Sequence, residues 1–595
     1  MHWLKGVNLS RNKEFLSAAY LGDINKVKKL IKRVSIESYD QNHRTALSLA
    51  VRKNYFDIVK YLIDNKVNIE TKNANGATPL IYAARNGNAK IINLLIKKNV
   101  KIDQKDNSGT TPLSYACMNG ELKAVEILLK NGANIESKNK KGKTPLIIAT
   151  KYDRFETVKF LIEKGAMVNA TDNNGYTAIM YASTHDNIPL IKILINAKAD
   201  LNKEDYNNAT SFLWAVIEGN YKVTKLYLEN SLVENIDKRD SNGRTALLLA
   251  VKHKYIDIVN LLLEYNPSIT IKSYSGKSSI IYAAENNMLG ILKKLHSMKA
   301  NIFDSDNYGL APVHYAAKYG SLEVLEYLFD FYNNNGVYDD EGNSPLVYAI
   351  KYFREDIFNF FLEKKIYIEK KNDYNMTPIF FAAIKNNTKA LLKLIENNVS
   401  VNVKDIMGNS VLAYASQNNS IESIFILVDL MDNIDNKNDH GVTSLAHAVR
   451  KGYKNVVEYL LSKGANLETS DNEGVTLLGY AAYYGHVEII KLLLAKGSHI
   501  DMDDNYNRTP LMLASLSGHL DAVKILVESG ASLTATNYNN INALKYAIIE
   551  EHMDIISFFI EGSYYNNYLK ENQDIIIYTN KEPIRKYLVS ALSKL

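Results

Sequence analysis

The sequence predicts an all-α solenoid built from helix-turn-helix repeats, each opened by a hairpin-like finger turn. Three observations predict it. The octet Asn73-Ala-Asn-Gly-Ala-Thr-Pro-Leu80 returns as Asp106-Asn-Ser-Gly-Thr-Thr-Pro-Leu113 and as Asn139-Lys-Lys-Gly-Lys-Thr-Pro-Leu146. The opening residue recurs at 40, 73, 106, 139, 172, 205, 240, 273, 306, 339, 372, 405, 438, 471, 504 and 537. Fourteen of those fifteen intervals are 33 residues and one is 35. Behind the octets run apolar residues at helical spacing, as in Ile58, Val59, Leu62 and Ile63. A fixed period of this size marks a stacked array, because one such unit cannot bury its apolar face alone.

Each element follows from its residues, with the opening residue (Asp or Asn in every frame but that of Ser273) counted as position 1. Position 4 is Gly in eleven frames, and the other five hold His43, Asn208, Asn375, Asn507 and Asn540. Those types tolerate a left-handed backbone, so the finger turns there with φ above zero. Position 7 holds seven of the ten prolines, often after Thr; the pair caps and pre-sets the start of the first helix. Position 11 is Ala in all sixteen frames, from Ala50 to Ala547, as close helix approach requires. The second helix often ends in Gly-Ala, as at Gly132-Ala133, Gly165-Ala166, Gly464-Ala465 and Gly530-Ala531. With helices packed about 8–10 Å apart, seventeen such units predict a curved superhelix on the order of 150 Å in contour.

The frame resembles the ankyrin repeat, whose 33-residue pitch and T-P-L-H-x-A core it shares. Ala311-Pro-Val-His-Tyr-Ala-Ala317 is the copy nearest that core, and the resemblance runs from about Asn12 to Gly562. It divides the chain into an N-terminal capping ankyrin repeat (1–39), sixteen consecutive repeats (40–564) and C-terminal capping helices or a partial repeat (565–595). In the tail, Ile575 to Tyr578 and Pro583 to Leu588 are expected to form a compressed helix pair. Two irregularities stand out: extra residues within Glu229–Asp237, and Phe331-Tyr-Asn-Asn-Asn-Gly336 in place of a Gly-Ala end, extending to Tyr338.

Composition narrows the function. The chain has 595 residues, of which 46% are apolar and 23% charged, a globular balance. Seventy-one Lys and Arg oppose 65 Asp and Glu, and a net of +6 over this length does not mark a nucleic-acid protein. A single cysteine, Cys117, excludes an internal disulfide framework and any multi-cysteine metal site. No apolar run reaches the roughly 18 residues of a membrane helix, and residues 1–22 do not read as a signal peptide. These features point to a reducing cytosol, with no address that separates it from export into a host cell by a non-classical route.

No constellation points to catalysis. His314 fills the T-P-L-H slot, while His486, His519 and His552 share position 16, just before the second helix. His440 and His447 share a repeat but lie on a finger and a helix, without metal-ligand spacing. Cys117 occupies a small-residue slot and reads as an alanine substitute. No phosphate loop is visible. The expectation is a non-enzyme without cofactor, metal or small-molecule substrate.

As the resemblance implies, partners bind to the finger tips and to the concave face made by the first helices. The end of the first helix, at position 13 and its neighbour, is basic at Arg52, Arg85, Lys151, Lys252, Lys318, Lys351, Lys385 and Arg450. Tyr152, Tyr319, Tyr352 and Tyr484 occupy position 14, and Tyr483 precedes the last of these. The residue before the next finger is basic at Lys72, Lys105, Lys138, Arg239, Lys272, Lys371, Lys404 and Lys437. Tyr at position 10 in nine frames is expected to pack between helices. The stripe of position 13 and 14 residues predicts a monomeric scaffold for an acidic or extended polypeptide. The alternatives are polyanion binding, to nucleic acid or anionic lipid along the Lys/Arg stripe, and a host-directed effector; nucleic acid is the less expected partner.

Overall fold

The fold is a computed structural model that describes residues 2–332 and 336–594. Packing divides it into two units, Met1–Asn286 with Gly290–Asn301, and Asn287–Leu289 with Ile302–Leu595. The division falls at neither sequence irregularity. Among the described residues are thirty-six α-helices and no strands, so the repeats are all-α as the periodicity requires.

The first helix starts where Thr meets Pro. The Oγ1 atoms of Thr78, Thr111 and Thr144 accept the backbone N–H three residues on, at 3.4, 3.2 and 3.3 Å. Twelve frames make this cap. In the frame from 306, where Ala311 replaces Thr, the Nδ1 of buried His314 accepts the Ala311 N–H at 3.1 Å instead. The T-P-L-H histidine thus belongs to the helix start.

All sixteen position-11 alanines are fully buried at 0% exposure, which lets first helices stack against their neighbours, as Pro79–Arg85 does against Pro112–Asn119. The non-glycine residues at position 4 confirm the turn, with φ of +56° to +64° at His43, Asn208, Asn375, Asn507 and Asn540. The fingers are turns rather than strands. Three carry a single antiparallel bridge, such as Tyr39 to Thr45, and successive fingers are joined through the backbone by single hydrogen bonds. The N–H groups of Asn107, Lys140 and Asn173 donate to the carbonyls of Asn75, Ser108 and Lys141 at 2.9, 2.9 and 3.0 Å.

The second helix closes on glycine. Gly132, at φ +87°, donates to Leu129 O at 3.1 Å, and Ala133 donates to Leu128 O at 3.0 Å, so two end carbonyls are satisfied together. Near residue 231, Ser231 takes the same left-handed role at φ +52°, and the insertion is absorbed by the loop that follows. In the frame from 306 the second helix runs on to Tyr332, whose buried hydroxyl donates to Ile302 O at 2.7 Å. The following Asn333, Asn334 and Asn335 lie outside the described residues.

At the N-terminus a helix over His2–Leu21 and another over Ile24–Leu30 bury Phe15, Ala18, Ala19 and Val27. The tail forms three short elements: Asn566–Glu571, a 3₁₀ turn over Gln573–Tyr578, and Glu582–Leu592. Ile575, Ile584 and Leu588 are buried there, and Lys545 lies 4.8 Å from the Tyr578 ring. Ile575 to Tyr578 thus lie in 3₁₀ geometry and Pro583 to Leu588 in the last α-helix.

Candidate interaction surface

The finger is anchored through its first residue. The Oδ1 of Asp106 accepts the N–H groups of Ser108 and Thr110, both at 2.9 Å, while its Oδ2 accepts the hydroxyl of Tyr115 at 2.7 Å. Burial, with Asp106 beside it, pushes the Tyr115 phenol up to about 12. The same position-10 donor reaches Asp172, Asp306, Asp339 and Asp405 from Tyr181, Tyr315, Tyr348 and Tyr414 at 2.6–2.8 Å. Tyr480 serves Asp471, and the Trp214 indole N–H serves Asp205 at 3.0 Å.

Where position 10 is Leu, an arginine at position 5 does this work. Arg44, Arg244 and Arg508 donate through Nε to Asp40, Asp240 and Asp504 at 2.8, 2.8 and 2.7 Å. All ten opening aspartates therefore have a side-chain donor. Where neither donor is available, before Ile148, Phe381 and His447, the opening residue is the uncharged Asn139, Asn372 or Asn438. A half-buried carboxylate without a donor is costly, and the frame avoids it. The position-10 tyrosines thus do more than pack between helices.

Six of the eight basic residues ahead of the fingers are engaged by the next repeat. Lys72, Lys105, Lys138, Lys404 and Lys437 donate through Nζ to the carbonyls of Lys105, Lys138, Thr171, Lys437 and Ser470, at 2.6–3.4 Å. Arg239 donates to Lys272 O in the same way. Each reaches the backbone 33 residues on, so this line of charge staples fingers together.

Many of the position-13 cations rest on aromatic faces. Arg85, Lys151, Lys351 and Arg450 lie 6.0, 5.8, 4.4 and 5.1 Å from the rings of Tyr115, Tyr181, Phe381 and Tyr480, each at position 10 of the next repeat. Lys318 lies 5.0 Å from the Tyr352 ring and 5.4 Å from that of Tyr319. Burial pushes the amines of Lys252 and Lys351 below the ordinary lysine value. Arg52 and Lys385 are exposed, and Lys385 lies one place beyond the others as the cap of its helix. Tyr152, Tyr319, Tyr352, Tyr483 and Tyr484 all present about two-fifths of their surface to solvent.

Within the second unit, Arg450, Tyr483 and Tyr484 come together on one groove of about 770 Å³. Tyr414, Tyr480 and Arg508 line it with them, as do the finger residue His440 and the helix residue His447. Burial, with Arg450 and Lys451 nearby, pushes the His447 ring down to about 4, so it is neutral near pH 7. The Tyr483 and Tyr484 rings meet edge to face at 5.1 Å. Position spacing alone picked out three of these residues. The others sit at positions 3, 5 and 10, and they converge only because adjacent frames stack.

Three other histidines have a structural role. His185, His486 and His552 bond through Nε2 to the carbonyls of Lys151, Arg450 and Leu516 at 3.0–3.1 Å, capping the first helix of the repeat before. Cys117 is fully buried, and burial pushes its thiol well above the usual range. Among the described residues no group of three or more His, Cys, Asp or Glu could hold a metal ion, and no helix is long and apolar enough to cross a membrane.

The family comparison agrees with this geometry. The family model for ankyrin repeats (three copies) matches residues 15–106, 66–139, 100–172, 131–205, 190–273, 280–372, 379–471, 467–537 and 500–570. Among solved structures, the ankyrin repeat domain of human ASB11 is similar at 27% identity, over 33% of this chain and 89% of that one, with a TM-score of 0.32. No curated protein matches the chain. With the family model covering nearly its whole length, the chain belongs to the ankyrin repeat family, whose repeats are in general protein-interaction modules.

Proposed function

We propose that the chain is a non-catalytic scaffold that binds a partner polypeptide along the first-helix face and finger tips. One observation carries this reading: the groove that gathers Tyr414, Tyr480, Tyr483, Tyr484, Arg450 and Arg508. Tyrosine and arginine are the side chains that most often dominate binding energy, and they do so in pockets of this kind. Lys318, Tyr319, Lys351 and Tyr352 form a second candidate patch in the same unit, and an acidic or extended segment suits its cations. The residues 1–39 and 565–595 are proposed as caps, and the single buried thiol suits a reducing cytosol and a monomer.

Affinity capture with the full chain tests the reading. Tyr483→Ala with Tyr484→Ala is expected to lose the captured protein while the helical circular dichroism signal persists; both rings are exposed, so folding is spared. Unchanged capture, with Lys318→Ala and Tyr352→Ala also silent, would refute it. A polyanion partner would reveal itself by affinity falling steeply with salt. The finger staples and cation–ring contacts argue for the polypeptide, since they already engage much of the charge a polyanion would need.

A further inference from the structure

Position 15, the turn between the two helices of each repeat, adopts a left-handed backbone in fifteen of the sixteen frames. Fourteen of those fifteen carry Gly, Asn, Asp, Lys or Glu there, and the fifteenth is Phe353 at φ +57°. A β-carbon is disfavoured in this region, and a bulky aromatic residue is an outlier. The ring gains little burial in return, because Phe353 is 58% exposed. Folding asks for neither feature, since Gly320 and Gly452 make the same turn elsewhere.

Phe353 forms one wall of a groove of about 230 Å³ at the end of the first helix away from the finger. Its floor is made by buried Ala349, Phe358 and Ala390, with the buried Asn387 amide spent on Ile350 O and the Ala390 N–H. In the same lining, Glu355 is shared by Lys389 at 3.1 Å and Lys393 at 3.3 Å. Arg354 completes the rim and donates through Nε to Lys318 O at 2.9 Å, which fixes the loop. Three cations against one carboxylate leave two positive charges in excess. The volume is below the roughly 300–1,000 Å³ of sites that enclose a small molecule, and it suits one large side chain.

We propose that this groove is a docking site separate from the Tyr483–Tyr484 surface. Its occupant is a polypeptide segment that sets one large apolar side chain against Phe353 and a nearby carboxylate against Lys389 and Lys393. The carboxylate would neutralise the excess charge on the rim, giving register to an otherwise apolar contact. The exposed, conformationally strained ring is the anchor, and the strain is the stability cost of presenting it.

The test is selection of a displayed library of short linear peptides on the full chain, followed by affinity measurements with one synthetic enriched peptide. Enriched peptides should pair a large apolar residue with Asp or Glu. Phe353→Gly should weaken binding about tenfold or more and raise the thermal midpoint, because the turn is relieved. Lys389→Gln with Lys393→Gln should weaken binding several-fold, while Tyr483→Ala with Tyr484→Ala leaves it unchanged. Three results would overturn the site: no peptide that depends on Phe353, a lowered midpoint in Phe353→Gly, or enriched peptides that depend only on Tyr483 and Tyr484. The last would leave the scaffold reading intact.

Discussion

Removing one hydroxyl tests whether the finger rests on its carboxylate–phenol pair. In Tyr414→Phe the ring stays in place, and Asp405, only 6% exposed, loses a 2.8 Å bond to Oδ2. Asn409 Nδ2 remains on the same oxygen at 3.0 Å. A hydrogen bond to a charged group contributes about 1.5–3 kcal/mol, and a surviving partner favours the lower part of that range, about 1.5–2 kcal/mol. A global melting midpoint gives the direction of a local change but not its size, because long repeat arrays depart from two-state unfolding. Native-state hydrogen exchange is the sharper assay. The amides of Met407 and Asn409 donate to Asp405 Oδ1 at 2.9 and 2.8 Å, so both report directly on the finger. Their exchange should quicken about ten- to thirtyfold, at a factor of ten per 1.4 kcal/mol. Asp405→Asn in the same chain recreates the natural Asn372 and Phe381 combination and should recover most of the protection. Unchanged exchange in Tyr414→Phe, or a double variant no better than the single one, would refute the reasoning.

Two further outcomes follow from buried groups. Burial holds His314 at about 4, below the ordinary 6.5, so the unfolded ring takes up its proton at higher pH than the folded one. Its contribution is full above pH 6.5 and is lost as the pH falls toward 4, by up to about 3 kcal/mol in that repeat; exchange at Ala311 between pH 7 and pH 4.5 measures it, and His314→Gln should flatten the dependence. Ala448, fully buried at position 11, leaves no room for a larger side chain; Ala448→Leu should cost about 1–3 kcal/mol by overpacking, read as a lower urea midpoint for the second unit.

Much of the fold was legible because each rule acts within a few residues. Left-handed turns at position 4, caps at position 6 and small residues at position 11 are local demands that name their residue types, even where His43 or Asn540 replaces glycine. The surface was harder to read. Lys105 looked like a free contact because its acceptor is a backbone carbonyl 33 residues away, and every residue carries one. Arg450 and Tyr483 were visible as stripe members, whereas Tyr480 and Arg508 looked structural until stacking placed them on the same groove. Phe353 stood in plain sight as a bulky residue in a glycine and asparagine slot. Its meaning needed both its φ and its exposure.

Two populations of tyrosine emerge from the same abundant residue. Those at position 10 mostly spend the hydroxyl on the finger's first residue, as Tyr115 does on Asp106, and a partner that took that hydroxyl would have to unseat the finger. Those on the fingers, such as Tyr206, Tyr308 and Tyr538, are 77%, 71% and 71% exposed. Those at position 14 lie at the helix end with one edge in solvent. Only the finger and position-14 rings, which together form the second population, can change contacts at little cost to the fold, and aromatic rings held on rigid elements bind with little entropy to lose. Specificity along the array should therefore be set by which of positions 2, 3 and 14 carry rings in consecutive repeats. The 14-series is densest where Tyr319 and Tyr352 follow one another, and Tyr483 joins Tyr484 further along. Substitutions confined to those slots should alter the partner selected while leaving helix content unchanged, and substitutions at position-10 tyrosines outside the Tyr414–Tyr480 groove should loosen the finger while leaving the partner unchanged.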